Sequence, residues 1–260
     1  MIIKNEHIIG KMYKGTTPVR KMYGGTSLAF NNGIESLGGG DEPAPTPAQV
    51  GDVLMWDVTN QKLVATLGGN WDATTYPIAS YEPIAINVYP ADQTSDGKGR
   101  WMAFKWLSNS SATGSTSSVN LVWGNNGDNL TSKDQTLFNG RENTDKALAL
   151  ADGSTGITQA AFPIFYAANI FYTNGTSAGD WYVPSYKELS LYQANYADIN
   201  AKITAVKTAS SSIFNTVNAN QWSSTEDANS SLAWVLKRMS GSFGILNRAS
   251  SYGCRAMLSL

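Results

Sequence analysis

Short apolar runs, each four to eight residues long and bounded by Gly, Asn, Asp, Ser or Pro, recur along most of the chain, the pattern of strands joined by tight turns. Gly51-Asp52-Val53-Leu54-Met55-Trp56 and Lys62-Leu63-Val64-Ala65 flank Thr59-Asn60 and predict a hairpin. Pro83-Ile84-Ala85-Ile86-Asn87-Val88 and Arg100-Trp101-Met102-Ala103-Phe104-Lys105-Trp106 predict two more strands joined through Asp96-Gly97-Lys98-Gly99, and Leu121-Val122-Trp123-Gly124 another. Helical spacing is rarer. Asn143 predicts a cap for a helix ending at Leu150, before Gly153. Ser185 with Glu188 three residues on predicts a capping box ahead of Leu189, Leu191 and Tyr192. Ile199, Ile203 and Val206 then mark the apolar face of a helix over residues 198–206, and after Ser212 strands return. Short mixed or antiparallel strands with two or three helices predict an α+β domain.

The first forty residues follow a different pattern. Lys11-Met12-Tyr13-Lys14-Gly15-Thr16-Thr17 recurs ten residues later as Lys21-Met22-Tyr23-Gly24-Gly25-Thr26-Ser27, each copy pairing a Tyr with a Gly-Thr turn. Such short strands bury no core alone, so residues 1–40 are expected to be a small β segment for attachment or self-association, or a ribbon folded back on the main domain. Residues 41–49 continue a linker that begins at Gly38-Gly39-Gly40 and stiffens through Pro43, Pro45 and Pro47, leaving residues 50–260 as the main domain.

Composition narrows the partners. The chain has 260 residues, 42% hydrophobic and only 15% charged, with polarity supplied by Ser, Thr, Asn and 24 Gly. A net charge of -1 without a basic cluster argues against nucleic acid and anionic membranes. The longest apolar-rich run, residues 162–172, is too short for a membrane span, so no membrane insertion is expected. The N-terminus lacks the apolar core of a signal peptide, which predicts cytoplasmic synthesis. The single cysteine, Cys254, excludes an intrachain disulfide.

Residues 227–253 are mostly small and polar, yet framed by Trp234, Phe243 and Leu258. In a strand, Leu236 would anchor inward while Val235 and Lys237 point out, with Gly241 turning the chain and Phe243 returning to the core. Taken alone, the stretch is a solvated Ser-rich hairpin.

Its surroundings say more. Gly179-Asp180-Trp181-Tyr182-Val183-Pro184-Ser185-Tyr186-Lys187-Glu188-Leu189, then Gln221-Trp222-Ser223-Ser224-Thr225-Glu226, then Ala233-Trp234, Gly241, Phe243 and Arg255-Ala256-Met257-Leu258 resemble, in order and spacing, the C-type-lectin-fold variable proteins of diversity-generating retroelements. Gly99-Arg100-Trp101-Met102-Ala103-Phe104-Lys105 and Leu121-Val122-Trp123-Gly124 extend the resemblance over residues 50–260. The resemblance implies a gene whose 3′ end is rewritten at adenines by an error-prone reverse transcriptase. It implies that Trp234, Leu236, Gly241, Phe243, Arg248, Arg255 and Leu258 are scaffold. The diversified face, within residues 221–253, would comprise Gln221, Asp227, Ala228, Asn229, Ser230, Ser231, Leu232, Val235, Lys237, Ser240, Ser242, Gly244, Ile245, Leu246, Asn247, Ala249, Ser250 and Tyr252. Three positions depart from the family pattern: Gln221 stands where an aromatic is common, Cys254 where Val is usual and Met257 in place of Val. Gln221, Lys237 and Met239, moreover, cannot arise from the asparagine-like codons the resemblance implies.

The function so implied is non-enzymatic ligand binding without cofactor: a phage tail receptor-binding protein on the virion, contacting a host cell-surface protein or glycan. The N-terminal segment would join virion or tail proteins, with a homo-oligomer such as a trimer in view. A bacterial surface adhesin of the same fold is the alternative. An enzyme related to sulfatase-activating oxidases, which share the lectin-like fold, lacks its cysteine chemistry here, and the only histidine, His7, precedes the linker, so no catalytic or zinc site is expected. Glu226 and Asp227 are adjacent and would point apart in a strand. A calcium-dependent lectin would need converging oxygens; Asn125-Asn126-Gly127-Asp128-Asn129 and residues 92–96 are read instead as Asx/Gly turns. Trp101, Trp106, Trp181 and Tyr182 offer rings for stacking on carbohydrate, but in strand contexts read as core.

Overall fold

A computed structural model describes four short N-terminal strands by their backbone, and residues 48–68, 71–124, 130–149, 161–210, 219–237 and 240–260. The expected linker at 38–47, the Asn125–Asn129 run and His7 lie outside the described residues. The chain divides into two compact units, Met1–Gly33 and Ile34–Leu260. In the first, each copy of the sequence repeat forms an antiparallel pair: β1 (Tyr13–Lys14) with β2 (Thr17–Pro18), and β3 (Met22–Gly24) with β4 (Ser27–Ala29).

The second unit is α+β. Its main sheet has five antiparallel strands: β5 (Val53–Asp57), β6 (Lys62–Ala65), β7 (Tyr81–Tyr89), β8 (Arg100–Ala103) and the late β14 (Met257–Ser259), in the order β14-β8-β7-β5-β6. The β5–β6 hairpin turns where Thr59-Asn60 predicted. The Asn60 side-chain amide donates to Asp57 Oδ2 (2.7 Å) and the Asn60 and Thr59 N–H groups donate to Oδ1 (2.9 and 3.0 Å), which together hold that carboxyl below its usual range. The sheet is covered on both faces, which explains why β7 and β8 read as continuous apolar runs rather than alternating ones. Leu54, Ala85, Trp101 and Ala103 face one core with Trp123, Phe165 and Trp181; Val53, Met55, Ile86 and Met102 face a second with Leu189, Tyr192, Ile199, Ile203 and Val206.

Among the described residues four α-helices are present where two or three were expected. α1 (Gly140–Ala149) starts earlier than the Asn143 cap predicts. Asn143 sits inside the helix, fully buried, accepting from the Ser132 N–H (2.9 Å) and donating to Ser224 Oγ (3.1 Å). A long-range hydrogen-bond site, not a local cap, uses the amide. α2 (Pro163–Ile170), with Pro at its first position, forms from the apolar run noted only as too short for a membrane. α3 (Tyr186–Ala194) carries the capping box as predicted: Ser185 Oγ accepts from the Glu188 N–H at 3.3 Å, and Glu188 Oε2 from the Ser185 N–H at 2.7 Å. α4 (Tyr196–Ala209) buries Ile199, Ile203 and Val206. Among the described residues, no helix is long and apolar enough to cross a membrane.

Glu188 also ties α3 to the main sheet. Its Oε1 accepts from Arg100 Nε (3.1 Å) and the Tyr182 hydroxyl (2.9 Å), and Arg100 reaches Asp96 Oδ2 at 2.8 Å. Burial beside the Glu188 carboxylate pushes the Tyr182 phenol well above its usual range. Asp96, within the run weighed as a calcium loop, is thus engaged by Arg100. Trp101, Trp106, Trp181 and Tyr182 are all buried.

Candidate recognition face

A second sheet, β10-β11-β12, carries the C-terminal positions of interest: β10 (Gln221–Glu226), β11 (Leu232–Lys237) and β12 (Ser242–Asn247). Polar as it is, every residue of β10 is buried. Its polar groups are matched by the surrounding loops. The Ser224 N–H donates to Pro184 O (2.7 Å), Thr131 Oγ1 to Ser224 O (2.6 Å), Trp123 Nε1 to Ser223 O (2.7 Å) and the Tyr186 N–H to Thr225 Oγ1 (2.9 Å). The Trp-Ser-Ser-Thr-Glu run is therefore a polar spine whose buried groups are mostly partnered, the Gln221 side chain and Glu226 Oε2 being the exceptions in the strand among the described residues.

Glu226 and Arg248 close the spine. Glu226 Oε1 accepts from the Leu130 and Thr131 N–H groups (2.8 and 3.2 Å) and lies 3.3 Å from Arg248 NH1, with both side chains at 0% exposure. Arg248 NH1 also donates to Ser230 O at 2.6 Å, and its guanidinium lies 4.3 Å from the Trp123 ring centroid. Glu226 Oε2 is buried without a hydrogen-bond partner among the described residues, and burial pushes the carboxyl above the usual glutamate range against the pull of the Leu130 N–H and Arg248. The neighbouring Asp227 is part-exposed and uses Oδ1 to accept from the Asn229 N–H (3.1 Å). Arg255 repeats the ring arrangement, fully buried with its guanidinium 4.3 Å from the Trp106 ring.

Over this base the expected display positions divide. Ala228, Asn229, Ser240, Ser242, Ile245, Asn247 and Ala249 are exposed; Asp227, Ser230, Ser231, Leu232, Lys237, Gly244, Leu246, Ser250 and Tyr252 are part-exposed. Gln221 and Val235 are at 0% exposure, so neither presents a side chain. The expectation that Val235 points out rested on one inward face per strand; β11 is covered on both. Ala233 and Val235 pack into one core while Leu236 packs into the other. Gln221 lies in β10, bridged in parallel to Gly253.

The β11–β12 ladder is regular, pairing Leu232 with Asn247, Trp234 with Ile245 and Leu236 with Phe243 on one face. There Tyr186, from the first turn of α3, meets Trp234 edge-on at 5.1 Å and lies against Phe243 at 4.1 Å. On the other face the Lys237 stem lies over Gly244, and Tyr252 meets Trp222 edge-on at 5.3 Å. Gly241 turns the hairpin at φ 64°. In the sequence Tyr186 stands only as the residue after the Ser185 cap and within the run that carries the resemblance; its ring's place beside the face comes from how α3 docks. Beyond this sheet, β13 (Ser251–Tyr252) pairs with β9 (Leu121–Val122), tying the end of the display segment to the core. Cys254 is fully buried and burial pushes its thiol far up, leaving it inert.

No family model matches this chain, and no curated protein does. Among solved structures it is similar to a fimbrial protein from Bacteroides ovatus, with a TM-score of 0.50 and 18% identity, over 82% of this chain and 49% of that one. The likeness is one of fold, and the chain spans about half the length of that protein.

Proposed function

We propose that this chain is a non-enzymatic recognition protein whose C-terminal surface is its binding face. One observation carries the reading: sixteen expected display positions with at least part of their surface open are gathered between residues 227 and 252, above a β10 spine in which every residue is buried. Small and polar side chains on a fixed frame suit a surface whose chemistry can change without disturbing the fold. The unit at 50–260 is read as a C-type-lectin-like domain. That reading draws support from the α+β architecture and from the lectin-type motifs falling on buried β10, the α3 cap and β14.

On this reading the face is written by a diversity-generating retroelement, and the protein is a phage tail receptor-binding protein that contacts a host surface protein or glycan, with residues 1–40 serving attachment or oligomerisation. The fimbrial likeness favours a second reading, a bacterial surface adhesin with the same face. Flanking DNA separates them. A near-copy of the last coding stretch, differing at adenines and lying beside a reverse-transcriptase gene, is expected for the first; its absence would leave the adhesin. Exchange of residues 227–252 for another variant's should retarget cell binding with Tm within a few degrees, and unchanged binding would sink the recognition reading.

A further inference from the structure

We propose that the outer edge of β12 is a strand-addition site, taking an extended polypeptide segment of a protein ligand as the sheet's fourth strand. The proposal rests on the recognition reading above and names the ligand class.

Hydrogen-bond directions in β11 set which β12 groups face outward. The Leu232 N–H donates to Asn229 O (2.9 Å), and Leu232 O accepts from the Asp227 N–H (3.1 Å), so both groups point away from β12. Trp234 O accepts from Ser223 Oγ (3.0 Å), also on the β10 side. In an antiparallel ladder the partners of such residues turn their own N–H and C=O outward. Those partners are Asn247 and Ile245, and by alternation Phe243. Asn247 O is used by the Ser250 N–H (2.9 Å), whereas β12 ends the strand order and, among the described residues, pairs only with β11. The N–H and C=O of Phe243 and Ile245 thus form a donor–acceptor row.

Among the described residues the strand itself carries no guard for this row; the Lys237 stem crosses β12 at Gly244, on the face opposite Phe243 and Ile245. Ser242-Phe243-Gly244-Ile245-Leu246-Asn247 contains no charge and no proline, and its register with β11 shows no bulge, the usual devices that protect an edge. Ile245 is 40% exposed, and Ser242 and Asn247 are exposed beside it. A strand added about 4.8 Å away would set alternate side chains against Phe243 and Ile245, next to the Trp234 and Tyr186 rings. An extended peptide repeats its donors and acceptors every two residues, as this row does; sugar hydroxyls have no such repeat. A second copy is the weaker occupant, because self-pairing needs side chains that complement themselves in every variant. Backbone bonds to a foreign strand survive exchange of Ser242, Gly244, Ile245, Leu246 or Asn247.

The test presents the full chain to an array of random linear octapeptides and, in parallel, to an array of defined oligosaccharides. Ile245→Pro deletes one outward N–H while leaving Gly244 and Leu246 to bond β11; Ile245→Val keeps the N–H. Peptide binding that falls at least tenfold in Ile245→Pro and less than threefold in Ile245→Val supports the proposal. On the unaltered chain, saturating peptide should slow hydrogen exchange of the Phe243 and Ile245 amides, a readout independent of how the proline variant folds. No peptide bound, unslowed amides, or a concentration-dependent dimer abolished by Ile245→Pro, which would make a second copy the occupant, overturns addition of a ligand strand. Oligosaccharide binding that follows the 227–252 exchange but ignores Ile245→Pro also overturns it and leaves the recognition reading standing. Binding whose preference among peptides or sugars is unchanged by the exchange defeats the recognition reading instead.

Discussion

Arg248 spans three parts of the candidate face: the end of β10 through Glu226, the 227–231 turn through Ser230 O, and Trp123 beneath it. Truncating it leaves a buried carboxyl without its cation, so Arg248→Ala should lose about 3–5 kcal/mol in denaturant unfolding. Glu226→Gln should lose less, since the amide oxygen still accepts from Leu130 and Thr131. The pH dependence has a definite sign. Because the folded-state pKa is raised, the folded protein holds the Glu226 proton more tightly than the unfolded chain. Its contribution is full below the ordinary glutamate range and fades as pH rises through the folded value. The stability gap between wild type and Glu226→Gln should therefore narrow as pH rises through that window; a widening gap would refute the assignment. Val235 was misplaced for a physical reason: alternation reveals which side chains share a face, but not whether the opposite face is also covered; Gln221 came from the resemblance, and it lies on a strand buried throughout.

Local signals were legible at the scale of the element and distant ones were not. The α3 cap is written within four residues, and the structure forms it as written. Ser185→Ala should lower stability by about 1 kcal/mol, measured as a drop in Tm, and somewhat more because Ser185 Oγ also donates to Leu137 O at 3.0 Å. Asn143 carries the same type of side chain and misled, because its partner Ser224 lies 81 residues away. The α2 segment carried a start signal at Pro163, yet its eight residues are about as long as a buried strand, where periodicity alone does not decide. The β13–β9 pairing left no mark in the sequence, since two-residue strands have no period.

Across the whole molecule, the division into a buried frame and an open segment follows from where polar groups find partners. Residues 227–252 look alike in composition, but Arg248 is interior and Asn247 beside it is exposed. Composition could name the segment; only the fold could sort its positions. The placement of β14 has a further consequence. The strand follows the display segment in the chain, yet it pairs with β8 in the main sheet, and Met257 exchanges backbone hydrogen bonds with Tyr182 at 2.8 and 2.9 Å. A stop codon or a frameshift anywhere between 227 and 256 therefore removes a strand from the principal core. Folding acts as a reading-frame check on this part of the gene: any altered 227–252 sequence reaches the surface only on chains whose translation stayed in frame to its far side.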